Sequence, residues 1–393
     1  MKYLKEFEER ELSEKEDLAA YLDSLEDDKW HEPVIADCAA IAIDPETPII
    51  WEVLNEELGF KKGGIPYKVK PVDLEDEAVL ECLEKGNGIF LVIPGETSMR
   101  TIPTSPLAYP GMCQRAGDDC ATMTRFEKKP QKGVLPLYEK VERLTRDFTL
   151  NGERCKVLER WGKVMAMHSQ AYVPLPMRGL IECLEEELAK DHPDYTYAGG
   201  QVSNEYLTAR YLINDEMMEE SLRLSLNDAG KSVEELKAGV RLISSDVGNS
   251  SVRVSCFFNA DGVEFTAGKS VNIAHKGDAC MEKIREEFGN IGSLFKETEE
   301  LIEQLGNIDI SDVGNVLLEI RSQYTFLPKD LTEKIAAAHA GEGTAIDVYL
   351  ALNEIVSKME SSLSAYLNNR ETVERMMRLP FKAIDEGSAW NKV

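Results

Sequence analysis

The order in which two hydrophobic patterns follow each other constrains this chain more than any other feature. Alternation typical of strands recurs between about residues 150 and 275, whereas apolar residues spaced three and four apart, typical of helices, follow residue 279. Strands and helices that alternate along a chain form parallel sheets, but segregated ones favour an antiparallel sheet with helices beside it. The predicted fold class is therefore α+β, with a central antiparallel sheet and a C-terminal helical layer.

A hairpin opens the central region. Two alternating segments flank Trp161-Gly162, a pair suited to a tight turn, and a helix begins near Pro176.

The C-terminal helices each carry apolar residues along one face. These faces favour packing within the chain, with contacts between identical chains as the alternative, and Gly289 and Gly292 weaken the first helix as one continuous helix. The predicted strands are 154–160, 163–168, 195–203, 206–213, 240–244, 251–259 and 263–273, and the predicted C-terminal helices are 281–305, 311–322, 331–338 and 345–367.

The N-terminal region predicts a small α/β unit. An acidic helix over residues 1–28 and a helix over 47–59 precede two strands, 65–69 and 88–93, which flank a helix over 75–84. Prolines and glycines after residue 93 favour a long loop. Four segments are predicted: the acidic unit 1–93, a loop or linker 94–132, the antiparallel α+β region 133–275 and the helical region 276–393.

Charge is distributed unevenly along the sequence. Lys and Arg number 45 against 71 Asp and Glu, a net charge of −26. Residues 1–60 hold five basic and eighteen acidic side chains, whereas residues 125–178 hold twelve basic and six acidic ones. The average charge opposes non-specific binding of polyanions, but the second segment leaves room for a local anion site.

Motifs for a cofactor, a metal or a nucleophile all fail on spacing. Gly262 is followed by five residues before Gly268-Lys269-Ser270, whereas a phosphate-binding loop needs four. The eight cysteines are scattered without a CxxC pair, which indicates reduced thiols, and none of the five histidines lies in a nucleophile motif. The sequence predicts no cofactor, no metal and no catalytic residue, and so favours a binding protein over an enzyme.

Basic and aromatic residues are interleaved between residues 143 and 178. This mixture is typical of proteins that pair cations with phosphates and stack rings on the bases of single strands. The alternative is a solvated face whose cations form salt bridges with the acidic N-terminus. The candidate nucleic-acid-binding residues are Arg143, Arg146, Arg154, Lys156, Arg160, Trp161, Lys163, Tyr172 and Arg178.

Three blocks of sequence resemble a known family. These are residues 151–184 (NGERCKVLERWGKVMAMHSQAYVPLPMRGLIECL), residues 244–257 (SSDVGNSSVRVSCF) and residues 344–384, which begin TAIDVYLALNEIVSK. Over about residues 145–390 the chain resembles phage and plasmid proteins that carry a large domain of unknown function. The second block departs from the family, which commonly continues from Cys256 through one residue to Asn-Gly. The resemblance implies an origin in a mobile element and no established chemistry.

These observations lead to three functional hypotheses. The first is a phage or mobile-element protein that binds single-stranded nucleic acid during DNA recombination or replication. The alternative is an acidic interaction protein that binds and inhibits a host defence or DNA-binding protein, and the third is a structural component of the virion. No segment of eighteen apolar residues and no signal peptide is present, so the expected location is the cytoplasm of a bacterial host, with no membrane partner.

Overall fold

The computed structural model describes residues 4–42, 61–62, 65–66, 73, 75–120, 137–228, 230–266 and 269–393. The helix predicted at 47–59 lies outside the described residues, as does most of the strand predicted at 65–69. The described strands are β1 (Arg10–Leu12), β2 (Lys29–His31), β3 (Ala39–Ala42), β4 (Lys61–Lys62), β5 (Ile65–Pro66), β6 (Ile89–Pro94), β7 (Met99–Pro103), β8 (Cys155–Arg160), β9 (Lys163–Ser169), β10 (Thr196–Val202), β11 (Leu207–Ile213), β12 (Leu236–Ser244), β13 (Val252–Ala260), β14 (Val263–Phe265), β15 (Val271–Ile273), β16 (Asp309–Ile310) and β17 (Gly343–Thr344).

Helices are concentrated after the strands. Short 3₁₀ helices at Ile35–Asp37 and Pro106–Ala108 accompany the α-helices. None of the helices in the described part is long and apolar enough to span a membrane. The α-helices are α1 (Lys15–Asp23), α2 (Glu77–Glu84), α3 (Tyr109–Ala116), α4 (Leu137–Phe148), α5 (Met177–Asp191), α6 (Glu216–Asp228), α7 (Met281–Phe288), α8 (Ile291–Gly306), α9 (Val313–Gln323), α10 (Lys329–Ala338), α11 (Ala345–Ser357), α12 (Leu363–Met376) and α13 (Phe381–Asp385).

The largest sheet is antiparallel and has seven strands. Its order is β1-β10-β11-β12-β13-β14, and β15 also pairs with β13. Along β12, Val240 and Leu242 are buried in the main hydrophobic core, which also contains Leu180 of α5, Phe295 of α8 and Val348 of α11. The alternation of the strands therefore directs one face toward the helices. The predicted α+β fold is confirmed.

The N-terminal segment contributes strands to two sheets built from later residues. Strand β1 pairs with β10, placing Leu12 opposite Gly200, and β2 pairs with β8, placing Trp30 opposite Leu158. The prediction of one helix over residues 1–28 is wrong, because within the described residues 4–28 the only α-helix is α1, and β1 forms an edge strand before it. Residues 10–31 therefore lie against the central region.

The predicted hairpin of β8 and β9 is confirmed. Trp161 and Gly162 have φ angles of 51° and 77°, the positive values that a tight two-residue hairpin turn requires. This backbone is unfavourable for a residue as large as Trp161, and its side chain is held by contacts. Its indole Nε1 donates to the carbonyl of Ser24 at 2.9 Å, and its ring lies edge-on to that of Tyr21 at 6.4 Å.

Three predicted boundaries are corrected. Residues 94–132 are not one loop in their described part, because β7 pairs with β6 and α3 follows. Pro106 and Pro110 lie at the starts of helices, where no N–H donor is needed.

The helix predicted at 345–367 is two helices, since Ser362 caps α12 by accepting the N–H of Ala365 at 3.3 Å. The helix predicted at 281–305 is also two helices, α7 and α8, which are separated at Gly289 and Asn290, beside the glycines expected to weaken it.

Candidate functional site

Arg160 is the last residue of β8 and one of the cations predicted to bind nucleic acid, but it is buried. Its side chain is 4% exposed. Nε donates to both carboxylate oxygens of Asp28 at 3.0 Å, and Nη2 donates to Asp28 and to Asp246 at 2.6 Å. Its guanidinium also lies 5.7 Å from the ring centroid of Trp161. Arg160 therefore neutralises buried carboxylates.

Lys163 occupies a similar position across the hairpin turn. Its side chain is 1% exposed, and Nζ donates to Glu6 at 3.1 Å and to Glu81 at 2.8 Å. The prediction that Arg160 and Lys163 present their charge to a ligand is wrong. The physical reason is the complementary charge of the N-terminal region, which supplies Glu6, Asp28 and Glu81 to these two cations, with Asp246 as a further partner of Arg160.

The remaining cations of the predicted surface also have acidic partners or backbone partners. Arg154 donates to the carbonyl of Glu32 at 2.9 Å, and Nζ of Lys156 lies 3.9 Å from the Glu32 carboxylate. Further pairs join Arg178 to Asp23 and Glu26, Arg143 to Asp118 and Asp147, and Arg146 to Asp147. The alternative hypothesis, in which the cations form salt bridges with the acidic N-terminus, therefore describes the hairpin. Arg143 and Arg146 instead pair with acidic residues within and beside α4.

Tyr172, the last ring of the predicted surface, belongs to a stack of four rings. It lies parallel to His168 at 3.7 Å and to His275 at 5.1 Å between ring centroids, with interplanar angles of 5° and 2°. Trp30 stacks obliquely on it at 5.6 Å. Because Tyr172 is only 8% exposed, its ring offers no open face to a base.

Three rings of the stack, those of His168, Tyr172 and His275, form one wall of a pocket of about 490 Å³. The other walls come from α3, from the turn after β12 and from the segment after β15. Although Asp and Glu account for 71 of the 393 residues, none lines this pocket in the described part of the chain. Two permanent cations do line it, Arg115 and Lys276, and neither forms an ion pair among the described residues.

Hydrogen bonds to backbone carbonyls hold the rings of this wall. His168 donates from Nε2 to the carbonyl of Asp246 at 2.8 Å, and Tyr172 donates its hydroxyl to the same oxygen at 3.2 Å. His275 donates from Nδ1 to the carbonyl of Val173 at 3.2 Å. The carboxylate of Asp246 binds Arg160. The buried ion pair therefore holds Asp246 in place, and the Asp246 carbonyl in turn holds two rings of the stack.

Both pocket histidines are biased toward the neutral form. Burial lowers the pKa of His168 and outweighs the hydrogen bond to the Asp246 carbonyl, which raises it, while the charge of Arg115 and any protonation of His275 lower it further. Burial also lowers the pKa of His275. The positive charge of the pocket at neutral pH therefore comes from Arg115 and Lys276, while the two imidazoles contribute hydrogen-bonding nitrogens.

Metal ligands are not grouped in this pocket. Among the described residues, no three His, Cys, Asp or Glu side chains lie close enough to hold a metal ion. The eight cysteines are free thiols, six of them buried.

Comparison with known proteins does not assign this site. No family model matches the chain, and neither a curated protein nor a solved structure matches it. The resemblance to phage and plasmid proteins gains no support from these comparisons.

Proposed function

We propose that this protein binds a small phosphate-bearing ligand in the pocket beside Tyr172. The observation that carries the proposal is the composition of the lining, whose described residues include Arg115 and Lys276 and no carboxylate in a chain of net charge −26. Of the carboxylates next to the lining, Asp246 is paired with Arg160, whereas Glu205 accepts from the neutral side-chain amide of Asn249 at 2.8 Å and keeps its charge. The lining itself favours anions, because its charged side chains are both basic although the whole molecule is acidic.

Phosphate fits this lining better than a carboxylate does. A phosphate monoester carries about −1.5 to −2 charges at neutral pH, which matches two permanent cations, whereas a carboxylate would leave one unmatched. An arginine can bind two phosphate oxygens at once, and a lysine adds a compact charge. The volume of about 490 Å³ lies within the range of roughly 300–1,000 Å³ usual for small-molecule pockets.

The terminal phosphate of a nucleic-acid strand shares this chemistry with a free metabolite. The hairpin no longer supports the hypothesis of single-strand binding, because its cations are paired and Tyr172 has no open face. A strand would have to enter the pocket by its phosphorylated end. Comparing a free phosphate ester with a 5′-phosphorylated and an unphosphorylated oligonucleotide separates these sources.

Calorimetric titration with methyl phosphate tests the proposal. Saturable binding to the wild-type protein is expected, with a loss of at least about tenfold in affinity for Arg115→Gln and Lys276→Gln, since each removes a charged hydrogen bond of about 1.5–3 kcal/mol. The matched controls are Arg223→Gln and Lys269→Gln, which remove cations outside the pocket. Absence of saturable binding, or equal losses in the control variants, would contradict the proposal.

The acidic-interactor hypothesis is favoured by a different surface, a groove between α6 and the start of β12. Met217 and Leu224, seven residues apart on α6, are 83% and 52% exposed there. Five glutamates line the same groove, against two cations. They are Glu216, Glu219, Glu220, Glu234 and Glu235.

An apolar stripe bordered by carboxylates is complementary to a basic amphipathic helix. The probe is a synthetic peptide of Lys and Leu, about 15 residues long so that it can form a helix alone. It should bind the wild-type protein, and the double substitution Glu234→Lys with Glu235→Lys should weaken this binding. The matched control is Glu299→Lys with Glu300→Lys on α8, because the net charge changes equally. Equal weakening by both pairs would show that only the total charge attracts the peptide, and would remove this second candidate.

A further inference from the structure

The hydrogen bond from His168 to Asp246 fixes which ring nitrogen carries the proton. The Asp246 carbonyl oxygen can only accept, so Nε2, at 2.8 Å, must be the donor. A neutral imidazole carries one proton, and its other nitrogen then holds a lone pair. Nδ1 of His168 is therefore a hydrogen-bond acceptor.

Nδ1 of His168 is left without a partner in the described part of the protein. Its residue lines the pocket and is half-buried, whereas the unpartnered Nε2 of His275 is enclosed. The acceptor that a ligand can reach is thus the one on His168.

Gly248 keeps space open beside this nitrogen. It has a φ of +86°, a conformation that favours glycine, and it lines the pocket. A Cβ built at this position would lie 3.0 Å from Cε1 and 3.5 Å from Nδ1 of His168. A side chain here would crowd that edge of the ring, and its absence leaves room for a ligand atom.

The pocket thus offers two kinds of hydrogen-bonding group. Arg115 and Lys276 are donors for an anionic group, and Nδ1 of His168 is an acceptor that a phosphate dianion cannot satisfy. An ammonium group would be a donor, but the two cations would repel it. A hydroxyl group satisfies the acceptor without adding positive charge.

We infer that the ligand is a hydroxylated phosphate ester, such as a polyol or sugar phosphate, which donates one hydroxyl to Nδ1 of His168 while Arg115 and Lys276 bind its phosphate. This inference rests on the proposed function, because it adds a second group to the ligand of the same pocket. The Asp246 carbonyl sets the tautomer of His168 and so places the lone pair of Nδ1 on the ring edge that Gly248 leaves open, where the hydroxyl would bind.

Paired ligands test the inference without any change to the protein. Glycerol 3-phosphate and propyl phosphate have the same carbon chain and phosphate, but only the first carries hydroxyls. In calorimetric titrations near neutral pH, glycerol 3-phosphate or ribose 5-phosphate should bind roughly three- to tenfold more tightly than propyl phosphate, the factor expected for one hydrogen bond.

A variant then assigns the preference to His168. His168→Phe keeps an aromatic ring in the stack and removes the acceptor, so the ratio of the two affinities should fall to about one. His339→Phe, which removes a histidine outside the pocket, should keep the wild-type ratio. Thermal unfolding of each variant confirms that it is folded before the ratio is compared.

The outcomes separate the inference from the function on which it rests. If all the esters bind equally well, or if His168→Phe keeps the preference, the inference is wrong while phosphate binding stands. If neither these esters nor methyl phosphate binds, the proposed function itself fails.

Discussion

Asp246 joins the hairpin to the pocket through its contact with Arg160. Its carboxylate accepts a hydrogen bond from Nη2 of Arg160 at 2.6 Å, while its carbonyl accepts from His168 at 2.8 Å. Arg160 also binds Asp28, which lies 132 positions earlier in the chain. Arg160, which the sequence suggests as a ligand-binding cation, therefore has a structural role: it holds Asp246, which supports the pocket beside Tyr172.

Replacing Arg160 should destabilise the protein strongly. In Arg160→Met, the carboxylates of Asp28 and Asp246 would stay largely buried without their partner, and breaking a buried pair in this way costs about 3–5 kcal/mol. Urea unfolding measures the loss of free energy. Arg154→Met is the matched control, because that exposed side chain donates to the carbonyl of Glu32 and forms no ion pair among the described residues, and a change within about 0.5 kcal/mol is expected. Equal effects of the two substitutions would contradict the structural role of Arg160.

Glu264 should make the free energy of unfolding depend on pH in the acidic range. Burial alone would raise its pKa, but Arg241, Arg370 and Arg210 outweigh this effect and hold the pKa at about 2, below the usual 4.5. Since the folded form has the lower pKa, this stabilisation is present above pH 4.5 and is lost as the pH falls toward about 2, with a total on the order of 3 kcal/mol.

Urea unfolding across this pH window measures the contribution of Glu264. Glu264→Gln should be less stable at neutral pH, because its three arginines lose their shared partner, and its free energy of unfolding should fall less steeply with acid. A variant with the wild-type acid dependence would show that other carboxylates carry the effect.

Single-stranded DNA should not bind through the hairpin. Arg160 and Lys163 are occupied by carboxylates, and the net charge of −26 repels the strand. An electrophoretic shift assay with an unphosphorylated oligonucleotide at low salt should show no complex. A complex weakened by Arg154→Ala with Lys156→Ala would restore the hypothesis made from the sequence.

Local signals predicted those parts of the fold that local contacts determine. The turn at Trp161-Gly162 and the antiparallel strands that follow depend on residues close in the chain, as does the weakening of the helix predicted at 281–305 by Gly289 and Gly292. The pairing of β1 with β10 and of β2 with β8 was not predictable in this way, because each joins segments more than a hundred residues apart. The opposite charges of residues 1–60 and 125–178 were the signal that the two segments meet.

The pocket was harder to predict from one sequence. Arg115, His168 and His275 come from three distant segments, and each taken singly is an ordinary polar residue. One signal was available: residues 160–181 contain no Asp or Glu, although acidic residues are frequent elsewhere. This run supplies His168 and Tyr172, so a search for acid-free stretches in an acidic chain would have found one wall of the pocket.

Histidine NMR during a phosphate titration tests the central claim most directly. The protein has five histidines, of which His168 and His275 line the pocket and His31, His192 and His339 do not. With the imidazole ¹³Cε1 positions labelled and assigned by substitution, methyl phosphate should shift the signals of His168 and His275 to a saturable limit and leave the other three in place. Equal small shifts of all five histidines, or none at His168 and His275, would contradict a phosphate site in this pocket.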